Sequence, residues 1–197
     1  TEAEERETVV AISELIEYYK GIFTTLSSCA SRQLEEVTFR RATISVPELM
    51  ATAGKYFRKV YKGNKAHIDF KIQPLEGRIT GDWNQLRFLL ENLIDEACSV
   101  TLDGAVCLSA REDGEFIRFL FTDMRREKTR EELNQLFYPD LSRMTAGEKG
   151  ELYGTEYLVC KQIIRDHDEF AGRRGCRINA EPGKEGGFTI YFTLPKK

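Results

Sequence analysis

Histidine is scarce in this sequence, with only His67 and His167 among 197 residues. That argues against a histidine-rich metal centre and leaves few candidates for acid–base chemistry. The five cysteines, Cys29, Cys98, Cys107, Cys160 and Cys176, are odd in number and scattered, with no C-x-x-C pair. They read as small hydrophobes in a reducing compartment, not as a disulfide framework or a zinc site, which points to the cytoplasm. No apolar run reaches the length of a membrane span and no signal peptide opens the sequence, so no membrane contact is expected within it. A dominant charge is missing too: 29 Lys and Arg stand against 32 Asp and Glu, net -3. No global field draws in nucleic acid, and none is expected as a partner. What is present is a soluble balance of 41% apolar and 31% charged residues, enough for one good hydrophobic core and unlike disordered or collagenous chains. The sequence opens on Thr1 instead of methionine. This suggests a piece of a longer protein, with an upstream membrane segment left open.

Hydrophobic spacing organises the chain. Val9, Ile12, Ile16, Tyr19, Phe23, Leu26 and Ala30 alternate three-residue and four-residue steps, the a/d seam of a heptad helix. Glu2, Glu4, Glu5 and Glu7 precede it, where carboxylates favour the positive end of the helix dipole. A stripe this narrow and long needs a partner helix: it packs on the rest of this chain or, the reading favoured by its length, pairs residues 1–40 with a second protomer. Next, Ser45 is placed to N-cap a helix with Pro47 in its first turn and Glu48 as a capping-box partner. Leu49, Ala53, Phe57 and Val60 form its apolar stripe; Lys55, Arg58, Lys59 and Lys62 form a basic, solvated face.

Ala66 to Ile72 alternates as a strand, with His67 on its polar side. Asp82 to Val100 carries the wide apolar face of a helix. Two strands, about 105–110 and 116–122, flank the hairpin signal Glu112-Asp113-Gly114. A short helix at 131–137 and a glycine-bearing loop at 144–154 lead to an apolar helix at 155–166. Two strands, about 176–180 and 187–194, close the chain. This order predicts an α/β two-layer sandwich: a mixed, mostly antiparallel sheet with helices on one face, preceded by the long N-terminal helix.

Several segments then resemble one family in order and spacing. Asp82-Trp83-Asn84-Gln85-Leu86, followed by Leu90-Glu91-Asn92-Leu93-Ile94-Asp95-Glu96-Ala97, looks like the N box of the histidine-kinase-type ATPase domain of the GHKL superfamily. Phe119-Leu120-Phe121-Thr122-Asp123 resembles the strand ending in the aspartate of its first glycine box. Leu136-Phe137-Tyr138-Pro139 is similar to its I-F-x-P-F segment, and Gly154-Thr155-Glu156-Tyr157-Leu158-Val159-Cys160-Lys161 to its G-L-G-L-A-I-C-K. The run from Glu181 to Pro195 resembles the closing S-x-P-G-x-G-T-x-F-x-F-x-L-P. The likeness covers residues 46–197, and the heptad helix stands where the family's dimerisation hairpin ends.

The resemblance implies a nucleotide pocket and marks Asn92, Asp123 and Gly154 as vestigial nucleotide-binding candidates. In the family the strand-end aspartate accepts a hydrogen bond from the adenine amino group. The second N-box asparagine helps hold magnesium and phosphates, because its oxygen suits a hard cation without adding charge. The glycines let the backbone approach the nucleotide. Here Glu96 replaces the magnesium-site asparagine, and Arg125 and Glu127 replace the two glycines after Asp123. Ser99 replaces a basic N-box residue, and Glu156 replaces a lid glycine, where it is expected at the phosphate position. Neither histidine has the context of the family's phosphoacceptor; His167 matches a structural helix-end histidine.

No catalytic residue is therefore assigned. The favoured expectation is a degenerate kinase-like module (a pseudokinase): a homodimeric scaffold of two-component type, without a required cofactor, relaying a signal from an upstream sensor region to a partner signalling protein. The alternative is a divergent, active histidine kinase domain that binds ATP through Asp123 and magnesium through Glu96. A DNA-directed or regulatory binding domain that borrowed the fold is a third reading, resting on the basic face of Lys55, Arg58, Lys59 and Lys62.

Overall fold

The computed structural model describes residues 38–62, 66–137 and 155–197, together with Thr8, Val9, Ile12 and Ile16. The chain forms two compact units, Thr1–Val37 and Thr38–Lys197. In the first, the described residues Thr8, Val9, Ile12 and Ile16 are helical and exposed. The seam residues Tyr19, Phe23, Leu26 and Ala30 lie outside the described residues.

The second unit is an α/β sandwich. Its main sheet contains β2 (Ile68–Gln73), β4 (Gly104–Asp113), β5 (Phe116–Asp123), β6 (Ile178–Pro182) and β7 (Phe188–Pro195), in the order β2-β4-β5-β7-β6. The β2–β4 pair is parallel and the other three pairs are antiparallel. Helices α1 (Val46–Tyr61), α2 (Trp83–Ser99) and α4 (Thr155–Phe170) make the helical layer, and α3 (Arg130–Gln135) is a short helix between β5 and α4. Among the described residues no helix is long and apolar enough to cross a membrane.

Alternation along β5 shows why the layers form. Ile117, Phe119 and Phe121 are buried, while Arg118, Leu120 and Thr122 are partly exposed. Across the register Phe119 meets Phe192, with ring centroids 5.0 Å apart, and Phe121 meets Ile190. Leu86, Leu89, Leu90, Leu93 and Ile94 of α2 supply the buried helical face of the same core. The period of two has a chemical consequence: it places Asp123 at the inward phase, so a charged side chain enters the core and must find partners there.

Local signals explain the helix starts. Ser45 Oγ accepts the Glu48 amide at 3.4 Å, capping α1 as its sequence predicts. Thr129 and Glu132 form a reciprocal capping box on α3. Asp82 Oδ1 accepts from Asn84 N and Gln85 N and caps α2, while its Oδ2 accepts Arg40 N at 2.8 Å.

Some boundaries differ from expectation. The strand expected over 66–72 is β2 at Ile68–Gln73, leaving His67 just before it, exposed. The last long helix continues past Asp166 to Phe170. A small antiparallel sheet of β1 (Ala42–Ser45) and β3 (Arg78–Gly81) was not anticipated. Each of its strands has only four residues, too few to show a period.

Candidate functional site

The histidine at the end of α4 is a structural joint. His167 is fully buried; its Nδ1 lies 2.7 Å from the Ile163 carbonyl oxygen, and its Nε2 accepts the Asp82 amide at 3.0 Å. These partners fix the tautomer with the proton on Nδ1. Burial lowers its pKa, outweighing the Ile163 and Asp82 interactions that favour the charged form. Gly81 leaves room for the ring, since a Cβ there would come within 2.9 Å of Nε2. The ring thus ties the end of α4 to the start of α2, in keeping with the structural role expected of it.

The strand end at Asp123 is the chemical centre of the unit. Asp123 is fully buried and both its oxygens are occupied by arginine. Oδ1 accepts from Arg125 N at 3.0 Å and Arg125 Nε at 2.9 Å. Oδ2 accepts from Arg125 Nη2 at 2.8 Å and Arg126 Nε at 3.0 Å. A carboxylate offers about four lone-pair sites, and four donors fill them. In this arrangement the four donors leave Asp123 no lone pair for a further donor such as an adenine amino group.

Arg125 is held from the other side as well. Its side chain has 0% exposure, and Nη2 donates to Ala97 O at 2.6 Å and Nη1 to Leu102 O at 3.1 Å. The guanidinium therefore spans from the carboxylate to carbonyls at and beyond the end of α2, where the helix dipole is negative. Gly104, with φ of 134°, admits the stem: a Cβ there would lie 2.9 Å from Arg125 Cγ.

Arg126 continues the network towards α2. Its Nη1 contacts Glu96 Oε1 at 3.3 Å, and its guanidinium carbon lies 5.3 Å from the Phe188 ring centroid. Lys128 Nζ lies 5.4 Å from the same centroid. Burial alone would lower the pKa of Arg126; Asp123, then Tyr157 and Glu96, outweigh it and raise it. Beneath the network, Gly187 has φ of 69°, and a Cβ there would collide with the Asp123 carbonyl oxygen and come within 2.6 Å of Met124 Cα.

Of the sequence-marked residues, the structure joins Asp123 and Glu96 through Arg126. Asn92 is half-buried on α2 and donates from Nδ2 to the Phe88 carbonyl at 2.8 Å. Ser99 Oγ donates to Glu96 O. Gly154 lies outside the described residues, as does the side chain of Glu156. Of the two glycine replacements after Asp123, Glu127 is exposed and Arg125 is the one that fills the site. Arg126 was missed because it stands at no marked motif position. Its available signal was its place three residues after a strand-end aspartate of inward phase.

The profile of the family described as histidine kinase-, DNA gyrase B-, and HSP90-like ATPase matches residues 81–197. The adaptive-response sensory kinase SasA of Thermosynechococcus vestitus is 26% identical over 177 residues, covering 88% of this chain and 44% of the relative. The chain thus spans less than half the length of that curated relative. Among solved structures, the nucleotide-free catalytic domain of histidine kinase ThkA superposes with a TM-score of 0.60 at 19% identity, over 80% of this chain and 96% of that one. ThkA in complex with the response regulator TrrA gives 0.69 at 16% identity, over 94% and 49%. Full-length ShkA in complex with AMPPNP gives 0.68 at 17%, over 98% and 40%.

Proposed function

This chain belongs to the histidine kinase-, DNA gyrase B-, and HSP90-like ATPase family, and from that premise we propose that it is a degenerate signalling module whose nucleotide site is closed by its own arginines. The observation that carries this reading is the saturation of Asp123 by Arg125 and Arg126. An adenine could reach that carboxylate only after the buried Arg125 and the partly buried Arg126 had been displaced. Glu96, the substitute for the magnesium asparagine, is drawn into the same network by Arg126. The module therefore needs neither ATP nor magnesium and transfers no phosphate. It acts as a homodimeric scaffold paired through the 1–40 helix at Val9, Ile12, Ile16, Tyr19, Phe23 and Leu26, passing a signal from an upstream sensor region to a partner signalling protein in the cytoplasm.

The competing reading is an active domain with Asp123 on adenine and Glu96 on magnesium. It requires Arg125 and Arg126 to swing out as nucleotide enters. Thermal unfolding with magnesium and ATP separates the two. A ligand of the native state at one hundred times its dissociation constant adds about 2.7 kcal/mol of apparent stability. We expect no shift at millimolar nucleotide. A clear shift that disappears in Asp123→Asn would establish the active reading.

A further inference from the structure

Ahead of β1 the second unit begins with a short strap, residues 38–41, laid against His167 near the end of α4. Three anchors hold it. Phe39 sets its ring edge-on to the His167 imidazole, with centroids 4.9 Å apart and planes at 79°, and meets the Phe170 ring at 5.8 Å. Arg40 N donates to Asp82 Oδ2 at 2.8 Å. The Arg41 guanidinium lies against Gly172, in the loop after α4. Thr38, Arg40 and Arg41 are exposed and Phe39 is half-buried. Pairing with β3 starts only beyond them, at Ala42 and Gly81.

Two of these anchors converge on one joint. His167 Nε2 accepts Asp82 N at 3.0 Å, while the Asp82 carboxylate caps α2 and holds the strap at Arg40 N. The joint requires a neutral ring, because only an unprotonated Nε2 has a lone pair to accept with; Nδ1 is already directed at the Ile163 carbonyl. A proton taken from solvent onto Nε2 turns the acceptor into a donor. Two N–H groups then oppose each other at 3.0 Å, and the new one competes for the Asp82 carboxylate, whose Oδ2 is the strap's own acceptor. The other walls of the ring are fixed: a Cβ at Gly81 would lie 2.9 Å from Nε2, and Ile163 is fully buried. Phe39 is the partly exposed wall.

The charges on the surrounding elements single out Asp82. Asp166 accepts from Gln162 Nε2 at 2.9 Å, and Asp168 from Arg174 and the Gly175 and Cys176 amides. Arg40, Arg41, Arg78, Arg87, Arg165 and Glu169 are exposed. Among these groups Asp82 is the one whose charge acts on the ring, and it favours the imidazolium.

We propose that residues 38–41 are a proton-released strap, fastened on His167 while its ring is neutral and freed when Nε2 takes up a proton. Linkage makes the effect reciprocal: a fastened strap keeps water off the ring and disfavours its charged form, and a charged ring disfavours the fastened strap. Burial holds the His167 pKa below its ordinary value, so the strap is closed at neutral pH and opens in acid. Opening frees three residues, about 10 Å of extended chain, ahead of β1. The device is separate from the Asp123 site and does not depend on whether nucleotide binds there.

The test follows the whole isotope-labelled chain by NMR as the pH is lowered from neutrality into the acid range. The His167 ring carbons report protonation, and backbone heteronuclear Overhauser effects at residues 39–41 report fast mobility. We expect the strap to become mobile with the same midpoint as the His167 titration, while β1 stays ordered. In Phe39→Ala the midpoint should rise by about half a pH unit or more towards the ordinary value of 6.5. The wild-type measurement decides the matter even where that variant fails to fold. A strap that stays ordered while His167 protonates, a strap already mobile at neutral pH, or a ring that stays neutral until the whole unit unfolds would each overturn the proposal. So would an unmoved midpoint in a folded Phe39→Ala.

Discussion

Truncating Arg125 to alanine should leave a buried, incompletely paired charge. Arg125 contributes two side-chain bonds to Asp123 and three bonds to carbonyls at and beyond the end of α2, all from a side chain with no exposure. Removing one member of a buried ion pair costs about 3–5 kcal/mol, because the remaining charge stays desolvated. Arg126 Nε still reaches Asp123 Oδ2 and offsets part of that loss, while the Ala97 and Leu102 carbonyls lose a donor. We expect a net loss of about 4 kcal/mol. For a domain of this size, at roughly 2–4 °C per kcal/mol, the melting temperature should fall by about 8–16 °C. Urea denaturation gives the free energy directly and calorimetry the midpoint. The double variant Asp123→Leu/Arg125→Met removes both charges and keeps the volume, so it should recover most of the loss. A loss below about 1 kcal/mol, the size of an exposed ion pair, would refute the reasoning. So would a double variant as unstable as the single one.

Three further outcomes follow from the geometry. His167 is held neutral with its pKa lowered by burial, so below its ordinary value of 6.5 the unfolded chain binds the proton more readily than the native one. Stability should therefore be flat above pH 6.5 and fall as the pH drops below it, with the dependence reduced in His167→Gln; a histidine NMR titration placing His167 at or above 6.5 would contradict this. Gly187→Ala should destabilise by about 2 kcal/mol or more in urea denaturation, since both its φ and the Asp123 carbonyl exclude a Cβ; an unchanged midpoint would mean the β6–β7 turn relaxes freely. Ile16→Asp should convert a dimer to a monomer in sedimentation equilibrium, and an unchanged mass would remove the heptad pairing from the account.

Strong periodicity made much of the fold legible in sequence. The apolar face from Leu86 to Ile94 gave α2, Asp113-Gly114 gave the β4–β5 hairpin, and Ser45 with Pro47 gave the start of α1. The β1–β3 sheet escaped because four-residue strands carry no period and their pairing is non-local. At the site, Asp123 and Glu96 could be marked from motif positions. Their joining through Arg126 could not, because it depends on side-chain reach across two elements. Inward phase on β5 did hold a usable hint: a carboxylate there needs cations, and the next charged residues are Arg125 and Arg126.

The most direct test observes the arginine side chains themselves. In a nitrogen-15 spectrum the Nε–H groups of Arg125 and Arg126, assigned by substitution, report whether Asp123 is occupied. The account predicts slowly exchanging resonances that do not move when magnesium and ATP are added at millimolar concentration. Resonances that shift or vanish with nucleotide, and stay fixed in Asp123→Asn, would contradict it and return the site to ATP.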